Sequence, residues 1–129
     1  MIGEVCAVAA GGAIGSAARF LTVMATTRLF GAAFPIGTLL VNLIGSLLVG
    51  VLLVVLAARP GGQGVWHPAL IVGLLGGFTT FSAFSLETLL LLQQDRVGAA
   101  AVNAGGSVLC CLAATWLGYR LALAWSAAG

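Results

Sequence analysis

Two sets of polar residues recur once per helical turn in an otherwise apolar sequence. Thr38, Asn42 and Ser46 form one set, and Asn103, Ser107, Cys111 and Thr115 form the other. Residues four apart lie on one face of a helix, so each set is a polar stripe. The groups are neutral. Hydroxyl and amide N–H groups can donate to an anion, and they carry no fixed negative charge to attract a cation. A proton relay would place Asp, Glu or His deep in the apolar segments, and Glu87 is the only such acid. Hydrogen bonding between helices is the plainer use of Ser and Thr. Two stripes of this length favour a polar pathway.

A third feature is the segment 73–85, GLLGGFTTFSAFS. Gly76, Gly77, Thr79 and Thr80 are poor helix formers and predict a break here. A break frees backbone groups at membrane depth, where they persist only when buried in protein or lining a site. The C-terminal end of the first half and its freed carbonyls would favour a cation. An unbroken helix with a small-residue packing face is the alternative. Phe81 and Phe84 follow at i, i+3, and their positive ring edges could complement a small anion.

The elements that position these residues follow from composition. Of 129 residues, 61% are hydrophobic, 6% are charged and 19 are Gly; the basic residues are all Arg. A soluble domain needs roughly a quarter of its residues charged, and disorder needs the opposite composition. A net charge of +2, dispersed along the chain, makes no nucleic-acid footprint. Long uncharged stretches at 5–18, 29–58, 60–86 and 97–119 lie between the charged residues. A spanning helix needs about 20 mostly apolar residues. The expectation is an all-α membrane protein, one domain over 1–129, with spans at about 3–28, 34–57, 68–94 and 97–125. The first span is not a cleaved signal peptide, because it lacks a basic start and carries Glu4. The connections are short: 29–33, 59–67 with Pro60, Gly61, Gly62 and Gly64, and 93–96. Function must reside in the membrane.

Gly11 with Gly15, Gly73 with Gly77, and Ser46 with Gly50 are small-xxx-small pairs that let helices approach closely in lipid. Arg19 lies one turn beyond Gly15 and is expected to be buried or in a vestibule. Cys6, Cys110 and Cys111 read as buried small thiols. The lone His67 in a loop leaves no cluster of side chains to bind a metal.

With four spans, Arg59 and Arg120 fall on one side and Arg28 and Arg96 on the other. This tie gives no positive-inside preference. It is either accidental or the mark of a chain that inserts both ways and pairs antiparallel.

The strings GGFTTFSAFSLE at 76–87, GGAIGSAARF at 11–20 and PIGTLLVNLIGSLLVG at 35–50 resemble the Fluc (CrcB) family of fluoride channels, in order and over nearly the whole chain. The resemblance implies an antiparallel dual-topology homodimer in the cytoplasmic (inner) membrane, with two fluoride pores. It implies a third helix broken at its centre and a structural Na+ on the dimer axis. Backbone carbonyls of Gly76 and Thr79 would hold that ion. Asn42, Phe81 and Phe84 would line the pore, and the fourth-helix track would map onto Ser107, Cys111 and Thr115. Arg19 and Glu87 match the family's first-helix Arg and third-helix Glu. Two departures stand out: Ala83 where relatives commonly carry Thr, and Cys111 where a hydroxyl is usual. A thiol is the weaker donor.

Fluoride is small and strongly hydrated, so closely spaced donors in a narrow pore are needed to replace its water. No GxxxxGK[ST] loop accompanies the spans, so a nucleotide-driven pump is not indicated. A four-helix proton-coupled multidrug exporter, also a dual-topology dimer, is the main alternative. It requires a membrane-centred acid in the first helix, where only Glu4 stands, at the very start. A non-transporting scaffold would explain the Gly pairs but not the two stripes. An intramembrane hydrolase would need Ser with His, or paired Asp, so no enzyme is expected. The charge tie makes a prediction: a reporter fused to the C-terminus should be found on both sides of the membrane, and one-sided labelling would refute dual insertion.

Overall fold

The structure is a computed structural model, and it describes residues 1–59 and 64–128. Of the expected 59–67 connection, Pro60, Gly61 and Gly62 lie outside the described residues. Among the described residues, four helices are long and apolar enough to cross a membrane: α1 (Ile2–Phe30), α2 (Ile36–Ala57), α3 (Pro68–Gln93) and α4 (Val97–Ala128). The protein is therefore a multi-pass membrane protein with all-helical spans.

Local chemistry sets the helix ends. Glu4 in the first turn of α1 and Arg28 in its last complement the helix dipole. Gly31, with φ of 79° and ψ of −179°, stops α1 in a positive-φ conformation that only glycine adopts cheaply. Pro35 precedes α2 directly, and Pro68 occupies the first turn of α3, where its missing N–H has no helical use. At the end of α3, Asp95 takes φ of 57°. The Asp95 N–H reaches the Leu92 carbonyl at 3.0 Å and the Arg96 N–H reaches that of Leu91 at 3.0 Å. This is a Schellman turn with Asp at the usual glycine position. The Arg96 guanidinium then donates to the Ala33 carbonyl, which ties the α3–α4 turn to the α1–α2 connection at one end of the bundle.

α3 is not uniform. Residues Pro68–Leu75 are wound as a π-helix, Gly76–Phe78 continue as one α-helical turn, and Phe81–Gln93 form a second α-helical half. Thr79 (φ −80°, ψ 157°) and Thr80 (φ −152°, ψ 123°) are extended between them. The glycines of the Gly76–Gly77 pair stay helical, and the two threonines carry the departure. Threonine is stiff at its branched Cβ and suits extended backbone.

Packing is by close backbone approach. α2 lies along α4, and α1 lies along the first half of α3. A Cβ added at Gly15 would sit 2.1 Å from the Leu74 carbonyl oxygen, and one at Gly77 would sit 2.6 Å from that of Gly12. The two GxxxG pairs thus face each other. Across the other pairing, a Cβ on Gly50 would lie 2.1 Å from the Thr115 oxygen, and one on Gly118 would lie 2.1 Å from that of Leu47. Lipid tails are as apolar as side chains, so this surface fit supplies the attraction. The outward faces are apolar. Phe20, Leu53, Leu109 and Trp116 are exposed on the single chain, as lipid-facing residues should be. Gly15→Ala should lower stability by about 1–3 kcal/mol through overpacking. Gly98→Ala, where a Cβ meets nothing within 4 Å, should not. Thermal unfolding midpoints in detergent check both.

Candidate functional site

The break in α3 is the centre of the site. An extended residue inside a span exposes its N–H and C=O, and in hydrocarbon each unsatisfied group is costly. At Thr80 both are met by one side chain. The Thr80 N–H donates to Asn42 Oδ1 at 2.7 Å, and Asn42 Nδ2 donates to the Thr80 carbonyl at 2.9 Å. The Thr80 hydroxyl then caps the second half of α3, accepting from the Ala83 N–H at 3.2 Å and lying 3.1 Å from the Ser82 hydroxyl. Gly45, one turn beyond Asn42, allows this approach, since a Cβ there would be 2.2 Å from Thr79 Cγ2.

Four carbonyls, those of residues 76–79, lose their helical partners as a result, and at two of them the missing amide is held by a side chain. In a continuous helix the Gly76 carbonyl would accept from the Thr80 N–H, and the Thr79 carbonyl from the Ala83 N–H. Those amides are taken by Asn42 Oδ1 and Thr80 Oγ1.

Around the break runs a groove of about 360 Å³, lined by Asn42, Ser46, Phe81, Phe84, Ser107 and Cys111, with Gly76, Thr79, Thr80 and apolar neighbours. α2 contributes Asn42 and Ser46, α3 the break and the phenylalanines, and α4 Ser107 and Cys111. The Phe81 and Phe84 rings lie 5.2 Å apart and tilted by 42°. Phe81 is 75% exposed, so the groove opens on the outside of the chain.

The polar stripes divide between this groove and helix-to-helix bonds. Asn103 is buried and donates to the Thr88 hydroxyl at 2.9 Å, and Thr88 donates to the Phe84 carbonyl at 2.7 Å. Ser107 reaches Asn103 Oδ1 at 3.5 Å. Thr115 does not line the groove; its hydroxyl turns back to the Cys111 carbonyl at 3.1 Å, and Gly50 packs beside it. Thr38 donates to Glu87 Oε1 at 2.6 Å, while Glu87 Oε2 is buried without a partner among the described residues. Thr38 and Glu87 border a separate cavity of about 170 Å³, beside the α1–α2 connection and Arg96. Arg19 is half-buried on α1 and lines neither space.

The cysteines correct an expectation. Cys6 and Cys110 are exposed on the single chain and Cys111 is half-exposed, so none is a buried core thiol. An outward apolar position in a span is met by lipid or by another subunit, and a small thiol satisfies either. Thr80 and Thr88 hold the site's polar groups together, yet sequence reasoning took Thr80 only as a poor helix former and did not single out Thr88. Thr80 carries a visible signal, a capping residue directly before the apolar run of the second half. Thr88 carries none, because nothing in its spacing reveals Asn103 opposite.

The model for CrcB-like protein, Camphor Resistance (CrcB), matches residues 6–119. The chain belongs to the CrcB family. Its relatives in that family carry a function in their names. The fluoride-specific ion channel FluC of Cereibacter sphaeroides (strain ATCC 17029 / ATH 2.4.9) is 48% identical over 127 residues, covering 98% of this chain and 100% of the relative. The protein of that name from Caulobacter sp. (strain K31) is 48% identical over 116 residues, covering 89% of this chain and 91% of its own. That from Novosphingobium aromaticivorans is 50% identical over 116 residues, covering 88% and 91%. CrcB relatives are thus named as ion channels, not enzymes.

One prediction tests the division of the stripes. Thr38→Val removes the hydrogen bond to Glu87 and strands the carboxyl, at an expected cost of about 1–3 kcal/mol. Thr115→Val changes only a bond within its own helix and should stay within about 0.5 kcal/mol of the wild type. Thermal midpoints separate the two.

Proposed function

We propose that this CrcB protein is a fluoride-selective channel that exports the ion passively across the cytoplasmic membrane, as an antiparallel dual-topology homodimer with two pores. The observation that carries the reading is the groove. Asn42, Ser46, Ser107 and Cys111 supply neutral donors along it, Phe81 and Phe84 supply ring edges, and Glu87 lies outside it. These side chains attract a small anion and offer a cation little; the carbonyls freed at the break are the exception. In a water-poor path each donor counts for more than in solution, which suits an ion whose hydration must be replaced. Thr115 keeps a place in the proposed fourth-helix track as the rung beyond Cys111.

A second copy suits the open side of the groove, because donors facing lipid would be left unsatisfied. The even split of Arg28 and Arg96 against Arg59 and Arg120 supports an antiparallel partner. In that dimer the phenylalanines of each copy would help line the partner's path.

The Gly76 and Thr79 carbonyls fit a structural Na+ at the dimer axis, because the amides that would satisfy them are bonded elsewhere. When bound, the cation supplies a fixed positive charge close to the anion path. Arg19, Thr38, Glu87 and Asn103 support the path without lining the groove. The proton-coupled exporter lacks support: Glu4 is exposed at the start of α1, 3.3 Å from the N-terminal amine.

The test is fluoride efflux from liposomes holding the purified protein. Fluoride should leave, and chloride should not. Phe81→Ile or Phe84→Ile should abolish the flux with the dimer intact. Passage of chloride or an organic cation in place of fluoride would sink the reading.

A further inference from the structure

The Asn42 carboxamide has one acceptor and two N–H donors. The acceptor and one donor are committed to the Thr80 peptide, at 2.7 and 2.9 Å. The other donor has no partner among the described residues, and Asn42 lines the groove. The same side chain therefore stands between two places. On one side it takes the amide that would otherwise satisfy the Gly76 carbonyl. On the other it presents an N–H whose direction is set by its grip on Thr80.

We infer that Asn42 is a positioning residue that couples cation binding at Gly76 and Thr79 to anion passage along the groove. This rests on the channel reading above and adds a mechanism to it. If Asn42 lets go, the Thr80 N–H is free to turn back towards Gly76, and the carbonyl is lost to a cation. At the same time the groove loses an oriented donor. A bound cation, by holding the Gly76 carbonyl, opposes that return and keeps the amide in place. Linkage makes the effect reciprocal: loosening the Asn42–Thr80 pair must weaken the cation.

The experiment loads purified protein with radioactive sodium and follows release into sodium-free buffer, with fluoride efflux measured on the same preparations. Asn42→Ala should release sodium about tenfold faster or more, the scale of a lost hydrogen-bonded contact, and its efflux should fall in parallel. Asn42→Ser is the second variant, in case alanine does not yield a dimer. Ser107→Ala, a groove residue away from the break, should reduce efflux and leave sodium release unchanged. An Asn42 variant that loses efflux while releasing sodium at the wild-type rate overturns the inference and leaves Asn42 as an anion donor only. In the wild type, the Thr80 amide should resist deuterium exchange in sodium; exchange at the rate of an open amide also overturns it. A wild type that holds no sodium rejects the cation site itself, whereas absent fluoride efflux rejects the channel reading.

Discussion

Backbone that leaves a helix inside a bilayer has nowhere to find hydrogen bonds except in protein, and at Thr80 it finds them in Asn42. The rest of the site depends on this pair. It allows α3 to run extended for two residues where water cannot help. It diverts the amide from Gly76, orients the donors of Asn42 and brings α2 against the break. The Thr80 hydroxyl completes the arrangement by starting the second half of α3. The side chain that makes the break tolerable is thus also a wall of the groove.

Glycine makes that pairing reachable. An amide has to approach the partner backbone within about 3 Å, and any Cβ at Gly45 would meet Thr79 first. The same logic holds α1 to the first half of α3 and α2 to α4, where glycines sit against carbonyl oxygens. The second half of α3 is held differently. Asn103–Thr88 fixes it to α4, and Thr38–Glu87 fixes it to α2. Polar side chains and close-packed glycines thus share the work that the hydrophobic effect performs in soluble proteins.

Some of the site was legible and some was not. The stripes identified faces correctly as polar, because spacing of four residues is a geometric fact about helices. Spacing does not reveal what lies opposite. Asn103 and Ser107 are neighbours in one stripe, yet Asn103 is buried against Thr88 while Ser107 also lines the groove. Asn42 reads as a donor in a pathway, and its pairing with Thr80 requires knowing that a break 38 residues further on faces it. Poor helix propensity pointed to the region of Gly76–Thr80, but the glycines remained helical and the threonines turned. Propensity is a property of residues taken singly, and the departure occurs where an outside group can accept the freed amide.

The sequence by itself determined a membrane protein of four helical spans, because charge is scarce and apolar runs are long enough to need no other information. It also determined the family, through motifs that extend over nearly the whole chain. Only the tertiary structure decided which polar residues satisfy one another and which remain free for an ion. That decision belongs to distances between helices, which depend on where glycines let backbones meet. Composition sets how much charge a span can hold; packing sets which carbonyls and amides are left over.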